Sequence, residues 1–84
     1  MMTEHAVVIS VGDSGRRILV KAPWGYTVAL VRAGSVVAGS EFDGIRHNLG
    51  TQQWRNRANG EMLDVDVLMP PAKQAVAKKN FIGN

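Results

Sequence analysis

The chain has 84 residues, no cysteine, and ten lysine and arginine residues against seven aspartate and glutamate residues, a net charge of +3. This length fits one domain with a thin core, and the missing cysteines exclude disulfide scaffolds and thiolate metal sites. No apolar run approaches the roughly 20 residues of a membrane-spanning helix, and residues 1–12 lack the pattern of an export signal. We therefore expect a cytoplasmic protein or a virion component, with no membrane partner.

The positive charge is concentrated near the C-terminal end. Residues 1–69 contain as many acidic as basic side chains, so this part of the chain is neutral. The whole excess comes from Lys73, Lys78 and Lys79, which follow two consecutive prolines. The sequence therefore predicts a β domain over residues 1–69 and a basic C-terminal arm over residues 70–84, rather than a basic nucleic-acid-binding face on the domain.

The first half of the chain has the pattern of an antiparallel β-meander. Its runs of β-branched, aliphatic and aromatic residues are short, and turns rich in glycine and proline separate them. Each connection is short enough for a hairpin. The pattern predicts four strands, over residues 7–11, 16–22, 26–32 and 35–42.

The turns also predict a register for two of these hairpins. A two-residue turn at Gly34 would place Val31 opposite Val36. The four-residue turn between the first two strands would place Ile9 opposite Ile18. Both pairings join apolar side chains to apolar side chains, which is the arrangement that cross-strand packing favours.

This register places apolar side chains on both faces of the meander. An antiparallel sheet with one face in water alternates apolar and polar side chains instead. Closure into a barrel would hide one face and remove the sheet edges. The other face needs the rest of the chain or a partner, and we expect an apolar patch that binds a partner, with a second copy of the chain as the first candidate. The alternative is that the remaining residues cover this face completely.

The second half of the chain begins with an irregular segment and a hairpin. Residues 43–50 favour one turn of helix or a loop, because glycines interrupt any longer helix. Residues 51–57 and 61–69 favour a last hairpin about the Asn–Gly pair at 59–60. In the expected register Arg55 lies opposite Asp64 and Trp54 lies opposite Val65, so opposite charges meet on one face and apolar groups on the other.

The segment after the prolines favours a short helix. Residues 72–79 contain good helix formers, and Phe81 and Ile82 follow as a small apolar pair. This arm is either solvated, docked on a neighbouring molecule, or in contact with nucleic acid or a membrane. The predicted fold is therefore all-β: a small β-barrel or curved antiparallel meander of about six strands, with a short C-terminal helix or arm.

No group of residues has the spacing of a catalytic or metal site. His5 and His47 are the only histidines, and neither has further ligands at zinc spacing. Asp64 and Asp66 share one strand face, which a solvent-exposed strand explains without a bound cation. The Asp–Ser pair at 13–14 with His5 lacks a nucleophile elbow. We expect no enzyme activity, no cofactor, no metal and no small-molecule substrate.

The residues most typical of a contact surface lie in one turn and in the C-terminal arm. Trp24 occupies a proline-containing turn, where it either folds back over the sheet or projects as a contact residue. The lysines and the apolar pair of the arm offer charge and hydrophobic surface. The predicted partner contacts are Trp24, Tyr26, Lys73, Lys78, Lys79, Phe81 and Ile82.

These features favour a non-enzymatic interaction or assembly module that acts within a homo-oligomer or a larger complex, such as a structural component of a virion or phage particle. One alternative is a small barrel that binds single-stranded nucleic acid. In it Trp54 stacks on bases while Arg46, Arg55 and Arg57 contact phosphates. A third hypothesis is an inhibitor that covers the surface of a partner protein.

Overall fold

The computed structural model describes residues 5–12 and 15–82 as six strands and one helix. Their bounds are β1 (His5–Val11), β2 (Arg17–Ala22), β3 (Gly25–Ala33), β4 (Glu41–Asp43), β5 (Gly50–Asn56), β6 (Met62–Val67) and α1 (Gln74–Ile82). The strands pair antiparallel in the order β1-β2-β3-β6-β5-β4, and β4 pairs with β1 to close a barrel. The prediction of an all-β fold with about six strands and a short C-terminal helix is confirmed.

Alternate side chains from all six strands fill the barrel interior. Trp54 and Phe42 are its largest members, each no more than 1% exposed, with ring centroids 6.2 Å apart. Aliphatic side chains fill the space around the two rings: Ala6, Val8, Ile18, Val20, Ala22, Ala29, Val31, Ile45, Leu63, Val65 and Val67. A barrel of this size is therefore packed solid rather than hollow.

A bulge in β1 changes which of its side chains face the interior. The register shifts by one residue between Val8 and Ser10, which leaves Ile9 as the extra residue. Val8 and Val11 consequently both pack on the interior cluster, although they are three positions apart. The predicted pairing of Ile9 with Ile18 is wrong for this reason, because Ile18 lies opposite Val11. The hydrophobic pattern of a strand does not reveal an inserted residue.

Residues 35–42 do not form the predicted fourth strand. Only Glu41–Asp43 is a strand, and the loop before it contains Gly34 and Gly39, with φ of +103° and +93°. Backbone in this left-handed region cannot continue an extended strand. The chain therefore leaves β3 in a loop, and the two-residue hairpin predicted at Gly34 is wrong.

The partner of β3 explains this loop. Val31 lies opposite Val65 of β6, so the strand edge that the predicted hairpin would use is occupied. Val36, predicted opposite Val31, packs against the interior cluster instead. The loop carries the chain to the other side of the barrel, where the Gly39 N–H donates a hydrogen bond to the Val8 carbonyl at 2.7 Å.

The last hairpin is confirmed, with a register that differs by two residues. Trp54 lies opposite Leu63 rather than Val65. The turn is longer than predicted because two asparagine side chains hold it. The side-chain carbonyl of Asn56 accepts from the Ala58 N–H at 2.8 Å, and that of Asn59 accepts from the Glu61 N–H at 2.9 Å. A shift of two residues leaves every side chain on its predicted face. Residues 44–49, before this hairpin, form a loop without a helical turn.

The helix α1 covers the outer face of β2 and β3. Ala77 is fully buried against Leu19 and Val28. Before the helix begins, Tyr26 and Ala72 exchange two backbone hydrogen bonds of 2.9 Å, which return the chain to β3. Three partly buried side chains complete this outer cluster: Tyr26, Met69 and Phe81. The described part of the C-terminal arm is thus folded on its own barrel.

The loop at residues 34–40 provides a matched pair of substitutions. Gly34→Ala and Gly39→Ala each place a Cβ on a left-handed backbone, which costs about 1–2 kcal/mol. At Gly34 that Cβ would also lie 3.0 Å from Leu63 Cδ1 and 3.1 Å from the Met62 carbonyl oxygen, whereas nothing described lies within 4 Å of it at Gly39. We expect the free energy of unfolding, from urea titration, to fall by about 2–4 kcal/mol for Gly34→Ala and by about 1–2 kcal/mol for Gly39→Ala. Equal losses would contradict the packing of the loop against β6.

Candidate functional site

Six of the seven predicted contact residues lie on α1 or directly beside it. Lys73 immediately precedes the helix, and Tyr26 lies on β3 next to the start of the arm. Tyr26 on β3 and Phe81 on the helix are partly buried between the two elements, whereas Ile82 is 68% exposed. The three lysines of the arm are exposed as well. The fold therefore brings residues from two distant parts of the sequence to one surface.

The direction of the lysines follows from how the helix is anchored. The Thr27 hydroxyl donates to the Met69 carbonyl at 2.7 Å, so the chain is held to β3 just before its prolines. The Lys73 carbonyl then accepts from the N–H groups of Val76 and Ala77, which begins the helix. Ala77 and, one turn later, Phe81 face the barrel. Side chains elsewhere around the helix point to solvent.

The exposed cations around α1 have no anionic partners among residues 5–12 and 15–82. Lys21, Lys73, Lys78 and Lys79 form no ion pair there. The Lys21 ammonium lies 6.0 Å from the centroid of the Tyr26 ring, a weak cation–π contact at an exposed site. We call these four lysines and the adjoining outer side of α1 the α1 face.

The acidic side chains that the structure describes lie on the other half of the barrel, on β4, on β6 and in the turn before β6. Arg57 pairs with Glu41 and with Asp43, each at 3.5 Å, and Arg32 pairs with Asp66 at 3.6 Å. Arg32 and Arg57 are thus paired with carboxylates, whereas the lysines of the α1 face are not. Glu4 and Asp13 lie outside the described residues.

Trp24 folds back over one end of the barrel. It is partly buried against the interior cluster, and its ring meets the His47 ring edge to face, with centroids 5.2 Å apart. Of the two orientations that the sequence allowed, the structure shows the folded-back one. Trp24 is therefore packed at the barrel end rather than placed among the exposed side chains of the α1 face.

The residues proposed for single-stranded nucleic acid do not form one surface. Trp54 is 0% exposed, so its ring has no open face on which a base could stack. Arg57 is engaged by two carboxylates, and Arg46 lies in the loop before β5. The predicted pairing of Arg55 with Asp64 is also wrong, because the longer turn places Arg55 opposite residue 62.

Gln52 is a buried polar residue that the sequence analysis missed. Its side-chain carbonyl accepts from the Arg46 N–H and from the Trp54 indole N–H, both at 2.9 Å. Its amide group donates to the carbonyls of Arg46 at 3.1 Å and Asn48 at 2.7 Å. All four hydrogen-bonding positions of the amide are thus used. The sequence contains an indication of this burial. Gln52 and Trp54 are two residues apart on one strand, so their side chains point to the same face, and a glutamine there occupies a core position.

The remaining candidate chemistry is dispersed. His5 lies 3.7 Å from Glu41, whereas His47 contacts the Trp24 ring. Asp64 accepts a hydrogen bond from the Gln53 side chain at 2.9 Å, whereas Asp66 pairs with an arginine. Within the described ranges, no three histidine or acidic residues are grouped so that they could hold a metal ion. The Asp–Ser pair at 13–14 lies outside those ranges. No helix that the structure describes is long and apolar enough to cross a membrane.

Comparisons with known proteins add no relative: no protein-family model, no curated protein and no solved structure matches this chain. The surfaces of the barrel, with their exposed apolar groups and charges, are therefore the features that bear on function.

The buried amide can be tested with two neighbouring glutamines. Gln52→Ala leaves the Trp54 indole N–H and the Arg46 backbone without their partner inside the protein, and we expect the free energy of unfolding to fall by about 2–4 kcal/mol. Gln53→Ala removes only an exposed hydrogen bond to Asp64, so a change within about 0.5 kcal/mol is expected. Urea titration of both variants measures the difference. A loss at Gln52 as small as that at Gln53 would show that the amide does not hold the loop.

Proposed function

We propose that the protein is a non-enzymatic assembly module that associates with further copies of itself through the outer face of β1. The observation that carries this proposal is the incomplete cover of the barrel. Among the described elements, α1 lies against β2 and β3 but not against β1. Two outward side chains of β1, Val7 and Ile9, are nevertheless apolar and not fully buried, so the strand keeps a hydrophobic surface in contact with water.

This surface, which we call the β1 face, consists of Val7, Ile9 and Val37. Val7 pairs with Lys21 and Glu41, two outward-pointing residues, and is itself only partly buried. The bulge leaves Ile9 37% exposed. Val37 is 69% exposed in a turn that bonds to β1, since the Gly39 N–H donates to the Val8 carbonyl at 2.7 Å and the Val8 N–H donates to the Ser40 carbonyl at 2.9 Å.

An open groove of about 270 Å³ continues the apolar surface toward one barrel end. Its lining includes Val7, Ala22 and Pro23, with His5 and Lys21 at the margins. Apolar groups with a polar margin are the composition of a protein contact surface. A two-fold contact between two β1 faces would bury the same side chains from both copies and leave the lysines of α1 outside the interface.

The test is the mass of the protein in solution, measured by sedimentation equilibrium. We expect the wild-type chain to form a dimer or larger species above its 9.1 kDa monomer mass. The double variant Ile9→Ser, Val37→Ser should raise the dissociation constant about tenfold or more, because each substitution removes apolar area from the contact. Leu49→Ser is the matched control, since Leu49 is 58% exposed on the loop before β5 and should leave the mass unchanged.

Two results would overturn the proposal. The first is a wild-type chain that stays monomeric at every concentration up to the millimolar range. The second is an equal effect of Leu49→Ser, which would indicate general stickiness of exposed apolar groups rather than a defined contact.

A further inference from the structure

We infer that the α1 face binds the phosphate backbone of nucleic acid, as a function separate from self-association. The α1 face shares no residue with Val7, Ile9 and Val37 of the β1 face, although its Lys21 also borders the groove beside Val7. The observation behind the inference is a group of exposed lysines that pair with no described carboxylate.

Docking of the arm joins two groups of cations that are far apart in sequence. Lys21 lies opposite Tyr26 in the β2–β3 pair, and Tyr26 is bonded through its backbone to Ala72. Lys73 follows directly, so Lys21 and Lys73 lie on the two sides of Tyr26 near the start of the helix. Neighbouring strands are about 4.8 Å apart, so the backbones that carry these two lysines are separated by about two strand spacings. Their long side chains can therefore contact the same nucleic-acid backbone.

The other end of the helix has a similar arrangement. A Cβ placed on Gly12 would lie 3.9 Å from the Phe81 ring, and the Gly12 N–H donates to the Arg17 carbonyl at 2.8 Å. The helix end, with Lys78 and Lys79, therefore approaches the start of β2, where Arg17 is located. Cations thus lie beside the start of α1 and in its second half.

The dimensions of this surface fit a nucleic-acid backbone. The nine residues of α1 span roughly 13 Å at a rise of about 1.5 Å per residue. Along the axis of a duplex each strand carries one phosphate per about 3.4 Å, so a helix aligned with that axis spans the height of about four phosphates of one strand. Lysine ammonium groups on flexible stems are point charges that contact phosphates without reading the bases. We therefore expect binding that depends on charge and not on base sequence.

The experiment measures the binding of a fluorescein-labelled 20-base-pair DNA duplex by anisotropy between about 50 and 200 mM NaCl. Four phosphate contacts predict a slope of about −3 to −4 in a plot of log K against log salt concentration. The double variant Lys78→Gln, Lys79→Gln should reduce the magnitude of that slope by about 2. The matched control, Arg46→Gln with Arg55→Gln, removes the same net charge from the opposite half and should leave the slope unchanged.

The outcomes separate this inference from the proposed assembly. Binding by the Ile9→Ser, Val37→Ser variant at the wild-type affinity would show that the α1 face works without self-association. Equal losses for the lysine and arginine pairs would overturn the inference, because net charge rather than this face would then control binding. Salt-independent binding would overturn it too. So would binding to phosphatidylserine vesicles with none to the duplex at the same salt concentration, which would assign the face to a membrane surface.

Discussion

The four hydrogen bonds of the Gln52 amide connect the interior of the barrel to the loop that closes one of its ends. A buried amide destabilises a fold unless its donors and acceptors are paired. Here the pairing fixes the Trp54 ring in the centre of the core and holds residues 44–49 beside β5, with Ile45 buried. That loop joins β4 to β5, so the same contacts determine where the short β4 lies and allow it to pair with β1. His47, in the same loop, then meets Trp24 at the barrel end.

Closure has consequences for the outside of the molecule. A barrel of six strands hides one side chain of every two and removes the sheet edges. The side chains on the outer surface must then be polar, be covered by another part of the chain, or remain apolar and exposed. All three solutions occur here: charged side chains on β4 and β6, the helix α1 over β2 and β3, and the uncovered β1 face. Among the described elements no second helix covers β1, which is the reason for proposing self-association there.

The wrong sequence predictions concern features that the alternation of side chains does not describe. The bulge at Ile9 and the loop before β4 depend on how the strands pair in the barrel. The longer turn at residues 57–60 depends instead on side-chain hydrogen bonds of Asn56 and Asn59. The glycine at position 34 is compatible with the predicted two-residue turn. Pairing of β3 with β6, however, occupies the strand edge that a hairpin at this turn would need. For the same reason Trp54, which beside arginines has the composition of a base-stacking residue, lies in the core.

The sequence by itself determined the strand-rich character, the last hairpin and the short helix after the prolines, because these depend on local alternation, on an Asn–Gly turn and on helix-forming residues. It also showed that both faces of the meander are apolar. Only the tertiary structure decided where the positive charge lies on the molecule. By sequence the three lysines belong to an arm behind a neutral domain, whereas packing of Ala77 against Leu19 and Val28 brings that arm onto β2, beside Lys21. Burial of an apolar helix side, an interaction between distant segments, thus converts a basic tail into a basic face.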